Sequence, residues 1–228
     1  RGEILRLVIN VPPRHCKSIT SNVGFLPWLW THAPGTKLMT ITCEHTLASR
    51  DAVASRRVVM SDWYRSMWPS VQLFEDANQI ANFVNNQGGR RFATTVGGSV
   101  IGQGADIIIG DDLHKIQEIH NDRARQEAVD FWLTTAPGRL DNKITGRMVL
   151  IMQRLHQADV AAECLKQGGW VHLNLPAEYE PDNKCFTVIG FDDPRKVEGE
   201  LLWPAKMGAK EIEKLKQAMK TEYWGQYQ

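Results

Sequence analysis

Short apolar runs alternate with stretches of helical periodicity along most of the chain. The first run, Leu5-Arg6-Leu7-Val8-Ile9, reads as a buried strand, and residues 19–30 after it can form a helix. Residues 37–43 read as a second strand. A long helix is then expected over 47–67, with Leu47, Ala54 and Val58 on one face and Pro69 beyond its end. Residues 91–96 read as a short strand closed by Gly97-Gly98, with a loop over 99–104. The run 105–110 is apolar apart from Asp106 and ends in two adjacent carboxylates, Asp111 and Asp112. Either Asn121 or Asp122 can cap the next helix, which carries Ala124, Ala128, Phe131 and Trp132. Residues 148–152 read as another buried strand, 159–166 as a helix stopped by Gly168-Gly169, and 170–175 as the last core strand. Strands separated by helices in this order predict an α/β fold: a mainly parallel sheet flanked by helices.

Beyond Pro176 the texture changes. Pro181, Gly190, Pro194, Gly199 and Pro204 break up a loop-rich segment, and one amphipathic helix comes after it with Ile212, Leu215 and Met219 on a single face. The expected organisation is a core over 1–176 and a small linker subdomain over 177–228, without internal repeats. The chain opens without Met, almost directly in its first strand, which predicts a fragment with further residues upstream.

Composition narrows the class. Hydrophobic content of 43% and charged content of 23% are globular values, and 228 residues suffice for one α/β core with an appendage. A net charge of +1 requires any nucleic-acid role to rest on a local patch. The four cysteines (Cys16, Cys43, Cys164, Cys185) form no C-x-x-C pair, which argues against a zinc knuckle or disulfide framework and for a reducing compartment. No apolar run approaches membrane-spanning length.

Chemistry concentrates where strands end. Asn10 to Ser18, N-V-P-P-R-H-C-K-S, lies between the first strand and its helix, where a phosphate-binding loop sits. In such a loop, backbone N–H groups surround phosphate oxygens, a lysine reaches the terminal phosphates and the next hydroxyl binds Mg²⁺. Lys17 and Ser18 occupy those two places. Val11 and Cys16 stand where the usual pattern has glycine, and a turn with an exposed lysine is the alternative reading. Asp111 and Asp112 end a strand at the edge where open α/β sheets bind ligands. The first carboxylate suits Mg²⁺ and the second an attacking water. A helix-capping acid pair is the alternative, although adjacent carboxylates repel unless a cation lies near.

Val11-Pro12-Pro13-Arg14-His15-Cys16-Lys17-Ser18 resembles the Walker A segment V-P-P-R-H-G-K-S of tailed-phage and prophage terminase large subunits. Gly98 through Asp112 resembles their Walker B region, and Met152-Gln153-Arg154-Leu155-His156-Gln157-Ala158-Asp159-Val160 their later strand-end motif. Tyr223-Trp224-Gly225-Gln226-Tyr227-Gln228 is similar to the junction between their ATPase and nuclease domains. The resemblance implies a P-loop NTPase of the additional-strand catalytic glutamate type, with 148–152 as the strand inserted between the Walker A and Walker B strands.

By the same resemblance, Pro13, Arg14, His15, Cys16, Lys17, Ser18 and Ile19 would surround ATP, and Ser18 and Asp111 would hold Mg²⁺. Lys17 would act on phosphate, Asp112 on water, and Gln153 would be a sensor beside the terminal phosphate. An ordinary loop is the alternative reading for Gln153 and His156. Arg14 is either a cis-acting arginine on phosphate or a solvated loop charge. Gln103 fills the slot where related sequences carry a trans-acting arginine, leaving Arg90 and Arg91 as substitutes. The second Walker B acid is aspartate where many terminases have glutamate. His45 and Thr46 come after the second strand at the same sheet edge, where they touch substrate or cap a helix. Arg50, Arg56, Arg57 and Arg65 are candidates for phosphate contacts or a solvated helix face, and Trp63, Tyr64, Met67 and Trp68 for core.

The activity implied is that of a packaging motor. ATP hydrolysis would drive double-stranded DNA into a prohead, with portal protein and small terminase subunit as partners, self-association into a ring on the portal, and the bacterial host cytoplasm as location. A nuclease domain would begin after Gln228, so this chain is not expected to cut DNA. The rival reading is a decayed prophage remnant that binds nucleotide or DNA with little or no hydrolysis.

Overall fold

The computed structural model describes residues 3–74, 79 and 81–227; Gln228, the end of the junction-like segment, lies outside them. Its strands are β1 (Arg6–Asn10), β2 (Lys37–Thr42), β3 (Asn82–Val84), β4 (Arg90–Thr95), β5 (Ile107–Asp111), β6 (Arg147–Met152) and β7 (Val171–Asn174). They form one seven-stranded sheet in the order β3-β4-β2-β5-β6-β1-β7. All neighbours run parallel except the edge pair β3 and β4. The late strand β6 therefore lies between β1 and β5, as the resemblance implied.

Side-chain alternation along the strands builds two cores. Met39, Ile41, Ile108, Met148, Leu150 and Met152 face one side, against α4 (Asp122–Asp130), the π-turn Phe131–Thr135 and α5 (Val160–Gln167). Trp132, fully buried, is the largest side chain of that layer. Leu38, Ile107, Ile109 and Ile151 face the other side. There they meet α1 (Phe25–Trp30), α2 (His45–Met60) and α3 (Asp62–Met67). Gly110, one residue before the acid pair, makes room for the first layer: a Cβ there would meet Trp132 Cζ3 at 2.8 Å.

The helix expected over 47–67 is two helices. Ser61 breaks it with an extended ψ of 146°, and its hydroxyl accepts from Tyr64 N to cap α3. Half of the aromatic cluster expected in the core is there, with Trp68 packed partly buried beside Tyr64. Tyr64 is buried and donates to Pro27 O, whereas Trp63 and Met67 are 62% and 59% exposed. Asn121, not Asp122, caps α4, accepting from Arg123 N and Ala124 N. The strand β3 was not foreseen; its sequence, Asn82-Phe83-Val84, buries only Phe83 and carries almost no periodic signal.

After β7 the chain is mostly loop, then α6 (Ala209–Met219) and α7 (Thr221–Tyr227). Ala177, Ile212, Tyr223 and Tyr227 form their own apolar cluster with Leu215 and Met219 packed on it. A buried pair, Arg195 Nη2 to Asp193 Oδ2 at 2.8 Å, pins the loop, and Arg195 Nη1 donates to Pro176 O. No helix of the described residues is long and apolar enough to cross a membrane.

Candidate functional site

The carboxyl ends of β1, β5 and β6 converge on one edge. Asn10 closes β1 by donating from Nδ2 to Met152 O (2.8 Å), while its Oδ1 lies 2.7 Å from His172 Nε2 on β7. The chain then turns through 11–16 into a helical turn that opens as a π-helix over Ile19–Gly24 and continues as α1. Two residues of this loop are left-handed: Arg14 at φ 65° and Cys16 at φ 60°. Left-handed backbone disfavours residues with a Cβ, so the geometry explains why glycine is usual at the place Cys16 occupies.

Across the edge stand the two carboxylates. Lys17 Nζ lies 2.8 Å from Asp112 Oδ1, with the lysine side chain 9% exposed and the aspartate 31%. Asp112 is itself left-handed, at φ 44°, and its N–H donates to Ile151 O on β6. Gln153, just past β6, is buried, and its backbone N–H approaches the same Asp112 Oδ1 at 3.4 Å. Its side-chain Oε1 is buried without a hydrogen-bond partner.

Asp111 is buried, and its carboxyl is pushed up to about 7. Burial is the main cause and the neighbouring Asp112 charge the next, while the Ser18 hydroxyl and Lys17 act in the opposite direction. Its Oδ2 accepts from Asn22 Nδ2 at 2.8 Å, while Oδ1 is buried without a partner. A carboxylate with one orphaned oxygen, beside a serine hydroxyl, fits a divalent cation that keeps several waters. Ser18 and Asp111 would hold it, and a cation's charge would oppose the upward shift that burial and Asp112 produce.

The remaining loop residues take distinct places. His15 Nδ1 lies 2.9 Å from Pro13 O, and its ring is 6.2 Å from Trp203. Lys206 Nζ is 3.9 Å from Cys16 Sγ and 4.7 Å from the Trp203 ring, so the segment after β7 reaches the loop. Arg14 is exposed at the rim. Burial raises the Tyr227 hydroxyl above its ordinary value, and the Arg14 charge pulls it the other way. Ile19 is 60% exposed.

The loop after β6 is held by Asp159, fully buried, which caps α5 through Ala162 N (2.8 Å) and pairs with Arg154 at 3.0 Å. His156 Nδ1 accepts from Ala158 N within that loop. Glu44 is the N-cap residue of α2, so His45 and Thr46 begin that helix. Their side chains make local polar contacts, His45 with Ser49 and Thr46 with Glu44.

Arg91 does not fit a trans-acting role. It is fully buried inside the sheet layer, donating to Asn22 O and to Thr40 Oγ1 at 3.3 Å. Arg90 Nη2 is committed to Gly104 O at 2.7 Å. Sequence reasoning missed the buried polar residues between Arg91 and Asp111, namely Asn22 and Asp51. One signal was available: strand alternation places Arg91 on the same face as the buried Ala93.

No protein-family profile matches the chain, and no curated protein sequence does. Among solved structures, the large terminase of bacteriophage HK97 aligns with 76% of this chain and 36% of its own length, at 14% identity and a TM-score of 0.54. A mutant ATPase domain of the Thermus phage P74-26 large terminase aligns with 75% of this chain and 76% of its own, at 12% identity and a TM-score of 0.50. The aligned region is thus about a third of the HK97 chain. At such low identity the likeness concerns the fold alone. The chain shares the fold of these two large-terminase structures, a mainly parallel sheet flanked by helices.

Proposed function

We propose that this chain is the ATP-hydrolysing motor domain of a DNA-packaging terminase large subunit. The observation that carries the reading is the pairing of Lys17 with Asp112 across the carboxyl edge, beside Ser18 and the partly unpartnered Asp111. Lysine and hydroxyl after one strand, and two acids after another, are the groups that Mg-nucleotide hydrolysis requires.

Each residue then has a task. Lys17 exchanges Asp112 for the terminal phosphates of ATP, so that binding itself frees the Asp112 carboxylate. Asp112, held from behind by the Gln153 backbone N–H, orients the attacking water and takes its proton. Backbone N–H groups of residues 14–19 surround the phosphates, and Arg14 at the rim supplies a further positive charge. Ser18 and Asp111 would hold Mg²⁺, whose charge would neutralise the phosphate oxygens. Gln153, whose backbone N–H approaches Asp112 and whose Oε1 is unpartnered, couples the state of the site to the loop after β6.

Residues 177–228 serve as the linker subdomain of a longer protein with a nuclease domain. The motor would work as a ring on the portal, with the small terminase subunit, and move double-stranded DNA. ATP turnover by the purified chain, with Lys17→Ala and Cys16→Gly as comparisons, tests the enzymatic core. Turnover abolished by Lys17→Ala is expected. Turnover indifferent to Lys17→Ala refutes the site. Turnover that appears only with Cys16→Gly assigns the natural chain to the non-hydrolysing remnant.

A further inference from the structure

The turn Ile19–Gly24 buries two residues, Ser21 and Asn22, and both are polar. Asn22 is fully buried, between α2 and the end of β5. Its Nδ2 donates to Asp111 Oδ2 at 2.8 Å and lies 3.4 Å from Asp51 Oδ2 on α2. The flipped amide would set Oδ1 against two carboxylates, so the orientation is fixed by its neighbours. Arg91, also fully buried, donates to the backbone oxygen of Asn22 and faces the Asp51 charge. Asp51 is in turn paired with Arg50 Nε at 2.8 Å.

Burying an amide, a guanidinium and two carboxylates beside an apolar layer is costly unless each is held by the others. A plain apolar packing would have served the sheet as well. What the polar set accomplishes is to fix one oxygen of Asp111 and leave the other unpartnered next to Ser18. π-turns are often found where a helix must present a side chain at a functional site.

We propose that Asn22 is a positioning residue for the metal-binding carboxylate: its amide holds Asp111 Oδ2, braced by Arg91 and Asp51, so that Oδ1 is presented to the cation. This inference rests on the Mg-nucleotide reading of the site. Partners of this kind behind a metal ligand typically contribute roughly 10–100-fold in metal affinity.

The test is Mg²⁺ titration of fluorescent-ATP-analogue binding to the purified chain, for wild type, Asn22→Leu and Asn22→Ser. Asp111→Asn provides the reference for a lost ligand, and thermal melting reports folding. Asn22→Ser stands in if the leucine variant fails to fold. The expected result is a Mg²⁺ midpoint raised roughly 10-fold or more, with nucleotide affinity in EDTA unchanged. A lowered melting temperature with an unmoved Mg²⁺ midpoint would make Asn22 a packing residue and overturn the proposal. Wild-type protein that binds nucleotide without any dependence on Mg²⁺, or does not bind it, would overturn the nucleotide reading and the positioning role together.

Discussion

Replacing Cys16 by glycine should stabilise the protein, although it deletes a side chain. Cys16 holds φ at 60°, and a left-handed L-residue costs about 1–2 kcal/mol. Glycine removes that cost but brings a more flexible unfolded chain, which returns about 0.5–1 kcal/mol. Little else is lost. The cysteine is exposed, and its thiol lies 3.9 Å from Lys206 Nζ, a weak contact. The balance is about 0.5–1 kcal/mol in favour of Cys16→Gly, a rise in Tm on the order of 1–4 °C for a chain of this size. The control is Cys16→Ala, which loses the thiol and keeps the strain, and so should melt within about a degree of wild type. Thermal and urea denaturation of the three proteins give the comparison. Cys16→Gly no more stable than Cys16→Ala would refute the role of backbone strain. The same variant should also raise ATP turnover, because the loop backbone approaches phosphate more closely without a Cβ.

Gly110→Ala would force a Cβ to within 2.8 Å of Trp132 Cζ3 and 3.1 Å of Leu113 Cδ1, both in the buried layer. Overpacking of this kind costs about 1–3 kcal/mol, visible as a lower denaturation midpoint, and a neutral result would mean that the layer is loosely packed. His114 is buried, and its Nε2 accepts from Val160 N at 3.0 Å. Burial first, then Arg125 and His156, hold its value below the usual 6.5, against the pull of Asp159. A depressed histidine contributes stability that is full above about pH 6.5 and is lost as pH falls from there through the folded value, by at most about 1.4 kcal/mol per pH unit. His114→Gln should therefore flatten the loss of stability between about pH 6.5 and the acid limb relative to wild type, and an unchanged slope would exclude it as a source. Asp159→Ala removes a helix cap worth about 1 kcal/mol and also the partner of Arg154. It should lower both the melting temperature and ATP turnover, since the loop carrying Gln153 loses its anchor; full turnover in a destabilised variant would separate that loop from the chemistry.

Much of the fold was readable because it is written in runs of apolar residues. A parallel strand buried on both faces, such as Ile107-Ile108-Ile109, cannot be mistaken for a surface element. The site's outline was readable for the same reason: residues just after such strands must lie at one sheet edge. The failures have a common cause. Ser61 continues a pattern that suits a helix, and only its extended ψ ends α2. Nothing in the sequence marks Asp51 and Arg91 as buried, because burying a charge depends on partners that lie 29 to 69 residues away in sequence. Local patterns do not carry such information.

The departures from the expected phosphate loop fall into the same class. The non-glycine residues with positive φ among those described are Arg14, Cys16, Asp112 and Lys220, and three of these stand at the carboxyl edge of β1 and β5. Each such residue costs energy that must be supplied by the surrounding frame. The frame here is the sheet: Asp112 N is tied to Ile151 O on β6, and Asn10 is tied to Met152 O at the start of the loop. Both tethers run to the strand inserted between β1 and β5. That strand therefore does more than fill the sheet. It holds the loop and the acid pair in backbone conformations that neither segment would adopt alone, at the distance where Lys17 meets Asp112. The cysteine at position 16 is tolerated because the turn is imposed by this frame and not by the residue in it.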